Sequence, residues 1–174
     1  TGTAVAAVFE ELARGWDVPP VAVVPPFFDD PATLAAMAAV GKPILDDLSP
    51  DHVLFSFHGL PERQIVKSDP TGRHCLRDAD CCDQPVPLCY RGQAVATARA
   101  LAGALSLPVA RWSLAFQSRL GRTPWIRPYT DARVRELTAS GVKRLAVFSP
   151  AFVADCLETL EEIGLVARGV FVAA

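Results

Sequence analysis

Apolar positions recur at helical spacing over 3–14, stopping before Gly15, and again over 91–105 through Ala94, Ala98, Leu101 and Leu105 with Pro108 beyond, so both stretches predict helices. A third helix is predicted from Asp30, an N-cap with Pro31 at the first helical position, to about Leu48. Shorter apolar runs at 21–24, 53–57, 109–116 and 145–148 read as buried strands. Residues 131–139 predict another helix, stopped by Gly141. Val153, Leu157 and Leu160 form one stripe of a last helix, with Gly164 as its C-cap. The alternation predicts an α/β fold on an open parallel sheet flanked by helices, in which 21–24, 31–48 and 53–57 make a right-handed β-α-β unit. Two segments lack any period: 59–87, dominated by Gly, Pro, Asp and Arg, and 117–128, with Gly121, Pro124 and Pro128. A loop as long as the first needs something to order it.

The run 53–57 ends on His58-Gly59-Leu60-Pro61, which puts a histidine at the carboxyl end of a buried strand, the edge where open α/β sheets hold ligands. An imidazole there can take a proton near neutral pH, although a hydrogen bond to its own loop would account for it equally well. Asp155, Glu158 and Glu162, spaced three and then four apart on the last predicted helix, would lie along one face. Such a row repels itself unless protons, a cation or basic groups are shared, and crowding is expected to raise at least one carboxyl pKa. A solvated surface face is the ordinary alternative. Because this helix follows 145–148, its first turn opens at the same sheet edge as His58.

Cys75, Cys81, Cys82 and Cys89 lie within fifteen residues, apart from Cys156 on the glutamate helix. Four thiolates can hold zinc or a 2Fe–2S cluster. The segment lacks a Cys-x-x-Cys knuckle, and adjacent Cys81-Cys82 suits tetrahedral zinc poorly, which favours the cluster. His74 beside Cys75 could substitute as a ligand, although a solvated histidine is the favoured reading, and four unliganded thiols in a flexible insert would be prone to oxidation.

Composition narrows the setting. A chain of 174 residues with 51% hydrophobic and 21% charged content is one globular domain. A net charge of -2 and the lack of a basic amphipathic helix predict no nucleic-acid partner. No apolar stretch approaches the roughly 18 residues of a membrane span, and no basic region precedes an apolar core at the N-terminus, so the chain reads as cytoplasmic. In that reducing compartment the five cysteines point to metal ligands or buried thiols over disulfides. There is no internal repeat.

Phe55-Ser56-Phe57-His58-Gly59-Leu60-Pro61, then Gln117-Ser118-Arg119-Leu120-Gly121-Arg122-Thr123-Pro124-Trp125, then Phe152-Val153-Ala154-Asp155-Cys156-Leu157-Glu158-Thr159-Leu160 resemble the three signature segments of the ferrochelatases. All three stand in the family's order and spacing, and the resemblance covers nearly the whole chain. It implies insertion of ferrous iron, the substrate metal, into protoporphyrin or coproporphyrin in haem biosynthesis. His58 would then be the active-site histidine that assists pyrrole deprotonation, and Glu158 the essential glutamate, both touching the substrate iron. Asp155 and Glu162 would belong to an acidic line for proton or metal passage. Trp125 would be a pocket aromatic, with Ser56 and Gln117 also binding substrate.

Members of that family fold as two similar Rossmann-like domains that clamp the porphyrin, and this chain resembles the C-terminal one. The cysteine-rich insert at about 72–89 is similar to the internal segment by which some bacterial members bind 2Fe–2S. The missing N-terminal domain of the same enzyme would be the chief partner, the closing segment would be cut near Ala174, and the isolated fragment would be inactive. Peripheral membrane association at most, and a homodimer, are compatible with the resemblance. A cobalt or nickel chelatase of a less oxidised tetrapyrrole is the other enzyme reading, disfavoured by Phe116-Gln117-Ser118 and Glu158-Thr159-Leu160. A non-catalytic iron–sulfur or zinc module is the third.

Overall fold

The computed structural model describes residues 2–84 and 87–173, so Pro85 and Val86 of the cysteine-rich insert, and Ala174 at the expected cut, lie outside the described residues. Helix α1 spans Gly2–Leu12 and α2 spans Pro31–Leu48. The Asp30 carboxylate accepts from Thr33 N at 2.7 Å, so the expected N-cap is formed, with Pro31 just inside it.

The run 21–24 is not a strand: it is irregular, and Val21, Val23 and Val24 are exposed. Prolines 19, 20, 25 and 26 bracket the four residues. They remove the ladder donors at both ends, and no partner strand lies beside the run among the described residues. The predicted first β-α-β unit is therefore absent from this sheet.

Among the described residues three parallel strands form the sheet: β1 His52–His58, β2 Trp112–Gln117 and β3 Leu145–Phe148, in the order β2-β1-β3. The predicted strand at 109–116 starts late, because Pro108 leads into a 3-10 turn over Val109–Arg111. Period-2 alternation sorts the buried faces. Val53, Phe55 and Phe57 pack with Leu45 of α2 and with Ala94, Ala98 and Leu101 of helix α4, Tyr90–Ala104. Leu54 faces the other way, with Ala115 and with Val134 of helix α5, Thr130–Ala139. His58 shares the parity of Leu54 and Ser56 and pairs with Gln117, so strand alternation alone aims it at the α5 side.

The last helix differs from its expected form. Residues 151–156 are irregular, Glu158–Ala167 is a π-helix, and α6, Arg168–Ala173, continues it, so Gly164 lies inside the helix and caps nothing. The start is delayed because Phe152 N bonds Ser149 O in a turn and Cys156 N donates to Thr159 Oγ1 at 3.1 Å, one half of a capping box.

The connection leaving β1 runs to the α4 side and the one leaving β3 runs to the α5 side. Adjacent strands thus part at their carboxyl ends and open a crevice there. Among the described residues no helix is long and apolar enough to cross a membrane.

Candidate active site

His58 ends β1 at the mouth of that crevice, half-buried between two aromatic rings, Trp125 at 6.3 Å and Phe152 at 6.4 Å between centroids. Its Nδ1 meets Gly59 O at 2.6 Å. A carbonyl only accepts, so Nδ1 carries the hydrogen and the neutral ring keeps its Nε2 lone pair for an incoming proton. The loop bond and the chemical role, alternatives on sequence alone, are thus compatible. The turn after His58 passes so close to β2 that a Cβ at Gly59 would lie 2.8 Å from Gln117 O and 3.2 Å from Trp125 Cε3, which makes glycine obligatory there. Trp125 is held in place by a two-residue clasp: Glu62 N bonds Pro124 O at 2.9 Å and Ile126 N bonds Leu60 O at 3.0 Å.

Across the crevice Glu158 opens the π-helix. Its carboxyl sits below the ordinary carboxylate range because the neighbouring Cys156 side chain and its own backbone N–H favour the anion; burial opposes this and His58 adds to it. The expectation of a pKa raised by crowding therefore fails at Glu158. The reason is that the three carboxylates do not share one helix face. Asp155 precedes the helix and is exposed, its Oδ1 accepting from Thr159 Oγ1 at 3.3 Å. Glu162 turns to the end of β2, where its Oε2 accepts from Ser118 Oγ at 2.6 Å and Gln117 Nε2 at 3.1 Å. A groove lined by Val147, Ser149, Phe152, Asp155, Thr159 and Ile163 lies along the outer side of this segment.

Ser56 and Gln117, expected as substrate contacts, are both buried at the carboxyl ends of β1 and β2. Ser56 has no accessible surface, and its hydroxyl donates to Gln117 Oε1 at 2.7 Å and lies 2.8 Å from Thr130 Oγ1. Gln117 in turn donates to Glu158 O at 2.7 Å. A buried polar chain, Thr130–Ser56–Gln117, thus ties the sheet to the first turn of the glutamate helix.

The segment between β1 and α4 is more ordered than its composition predicts. A short helix, α3, Glu62–Lys67, comes first. The buried Asp69 carboxylate then accepts from Thr71 N, His74 N and Cys75 N at 2.8–2.9 Å, bonds that push its pKa well below the ordinary carboxylate value. The cysteines Cys75, Cys81, Cys82 and Cys89 are all buried and reduced. Cys75 has Cys89 and Cys81 beside it, and Cys82 has Cys81 and Cys89, neighbours that add to the upward shift of both thiols. Burial raises the Cys75 thiol to about 12 and the Cys82 thiol to about 11, the latter against the pull of Arg91. Arg91 Nη1 donates to Cys82 Sγ at 3.1 Å and Cys81 Sγ at 3.4 Å. His74 points its Nε2 at Cys81 O, 2.8 Å away, and is occupied there. Among the described residues no three His, Cys, Asp or Glu side chains converge on one point as ligands of a single metal ion.

Sequence reasoning gave no role to Asp69, Tyr90 and Arg91, nor to Phe152 and Thr130. Of the first three, only Asp69 carried a signal, since Asp69-Pro70-Thr71-Gly72 has the composition of a side-chain-stabilised turn. Tyr90 is held protonated by burial, which raises it to about 12, and its hydroxyl donates to His58 O at 2.8 Å.

The family model described as Ferrochelatase matches residues 1–174. The chain is similar to the ferrochelatase of Pseudomonas fluorescens strain SBW25, 53% identical over 146 residues, which are 82% of this chain and 42% of that protein. It is 54% identical to the ferrochelatase of Pseudomonas syringae pv. tomato over 146 residues, with the same two shares. With the ferrochelatase of Ectopseudomonas mendocina it shares 53% identity over 156 residues, 87% of this chain and 45% of that protein. The matched part of the chain thus spans less than half the length of these curated relatives.

Proposed function

The chain belongs to the ferrochelatase family, and from that premise we propose that the whole protein inserts ferrous iron into a porphyrin, protoporphyrin or coproporphyrin, in haem synthesis. The observation that supports this most is the meeting of His58, Trp125 and Phe152 with the first turn of the Glu158 helix at one sheet edge. Each divalent ion that enters a porphyrin displaces two pyrrole protons, so the site needs a base, an anionic path and an apolar wall for the macrocycle. His58 Nε2 takes a proton, the Glu158 carboxylate draws the iron and carries protons onward, and Trp125 with Phe152 walls the slot. Asp155 and Glu162 extend the anionic path on either side of Glu158. The other face of the slot comes from the N-terminal domain, and we place the enzyme in the cytoplasm with at most peripheral membrane contact.

The test is anaerobic metal insertion by the full-length protein. Iron should be consumed only when protoporphyrin or coproporphyrin is present. Turnover of cobalt or nickel on a less oxidised tetrapyrrole with iron left untouched would overturn the assignment, and so would absence of any turnover.

The donor set of Cys75, Cys81, Cys82 and Cys89 suits a 2Fe–2S cluster by its chemistry: four buried sulfurs in one segment, with the Arg91 cation donating to two of them. These four would hold it, and such a cluster supplies a one-electron couple and a covalent tie across the loop. Thiols with pKa values this high are protonated at neutral pH, so loading must release protons. Purified anaerobically, the full-length protein should be reddish-brown with about two irons and two labile sulfides per chain. Serine at any of the four positions should bleach it and Cys156→Ser should not. A colourless protein holding stoichiometric zinc, or colour lost on Cys156→Ser, would refute this ligand assignment.

A further inference from the structure

The first turn of α4 touches two sites that lie apart in the sequence. Cys89 is the N-cap of this helix, its Sγ accepting from Gly92 N at 3.4 Å. Arg91, two residues on, donates to the sulfurs of Cys81 and Cys82. Tyr90, between them, sends its hydroxyl across to the carbonyl of His58.

That carbonyl belongs to the peptide joining His58 to Gly59, and the same peptide's N–H donates to Gln117 O at 2.8 Å. The plane is therefore gripped at both ends, by Tyr90 on one side and by β2 on the other. The imidazole hangs from the Cα at the edge of this plane and bonds the next carbonyl, Gly59 O, through Nδ1. Rotating the plane would swing Nδ1 and aim Nε2 elsewhere. Because β1 ends at His58, no strand neighbour can replace the Tyr90 hydroxyl on that carbonyl.

We propose that Tyr90 is a positioning residue for His58 and that, through the first turn of α4, it couples the state of the four-cysteine site to the aim of the imidazole. This rests on the reading of Cys75, Cys81, Cys82 and Cys89 as one metal site. A metal-bound Cys89 sulfur is an anion at a helix N-terminus, where it caps the free N–H groups more strongly than a thiol does. Metal-bound Cys81 and Cys82 likewise strengthen the bonds from Arg91. Both changes draw the first turn of α4 toward the cysteines and tighten the seat of Tyr90. Loss of the metal loosens that seat, and His58 loses part of its alignment without losing any contact of its own ring.

The experiment is a double-mutant cycle of Tyr90→Phe and Cys89→Ser in the full-length protein, followed by kcat and KM for metal insertion. Tyr90→Phe should lower kcat roughly fivefold, the usual worth of one hydrogen bond, with KM for porphyrin and iron within about twofold and metal content unchanged. Cys89→Ser should lower kcat by a similar factor, and the double variant should be no worse than the worse single one. Amide exchange at Gly59 should quicken in both single variants, a readout that survives if Cys89→Ser folds poorly in assay. Unchanged kcat and Gly59 exchange in Tyr90→Phe would overturn the positioning role. Additive losses, with Gly59 exchange in the Tyr90→Phe background still responding to Cys89→Ser, would overturn the coupling. Failure of the metal assignment is separate: it appears as wild-type protein without bound metal.

Discussion

His58→Ala in the full-length protein is expected to remove about 10²–10⁴-fold of metal insertion, the usual range for a positioned general base. The fold should survive, because among the described residues the half-buried ring bonds only to the carbonyl of the next residue and meets Trp125 and Phe152 as tilted neighbours at the crevice rim, outside both packed faces of the sheet. Steady-state metallation alongside thermal denaturation separates the two effects. Retention of more than about a tenth of the activity would contradict the general-base role. An equal fall in melting temperature and rate would instead make His58 a packing residue.

Glu158→Gln is expected to cost at least about tenfold more activity than Glu161→Gln, a contrast between neighbours of equal charge on one helix. Glu158 is half-buried, lies near enough to His58 for a proton taken up by that ring to favour its anion, and offers its backbone carbonyl to Gln117. Glu161 is exposed on the same helix. The amide keeps the size of Glu158 and removes only the anion, so a loss confined to position 158 tracks the charge that meets iron and protons. Equal losses at both positions would mean that overall acidity, and not a placed carboxylate, draws the metal.

Much of the frame follows from local rules that act over a few residues. The Asp30 cap and Pro31 set the start of α2, and the apolar run 53–57 makes a strand wherever it lies in the sheet. The abrupt change to His58-Gly59-Leu60-Pro61 ends that strand on the imidazole, because glycine and proline cannot extend it. Strand alternation also set which side of the sheet His58 would face. The run 21–24 misled because periodicity reports burial only when a partner is available, and prolines at both ends deny it one.

The glutamate helix marks the opposite limit. Spacing of three and four predicts one acidic stripe only if the backbone is α-helical from Asp155 onward, yet bonds from Ser149 and Thr159 hold 152–156 out of the helix, and the rest winds as a π-helix. The partners of Glu162, Ser118 and Gln117, come from the approach of β2 and cannot be read from spacing, whereas Cys156, which favours the Glu158 anion, lies in the turn that precedes the helix.

Sequence by itself determined the chemistry at hand: a strand-end histidine, acidic residues after the last strand, an aromatic in the second irregular stretch, four clustered cysteines and the α/β frame. Only the tertiary structure decided which of these groups act on one another. The Asp69 carboxylate gathers three backbone N–H groups from the cysteine segment, and the Tyr90 hydroxyl crosses from the start of α4 to the carbonyl of His58. The first closes within one segment, where composition announces only the turn, whereas the partner of the second is chosen by packing. Propensity and periodicity encode how each segment folds and which face it buries, whereas hydrogen-bond partners across segments exist only once the sheet has brought those faces together.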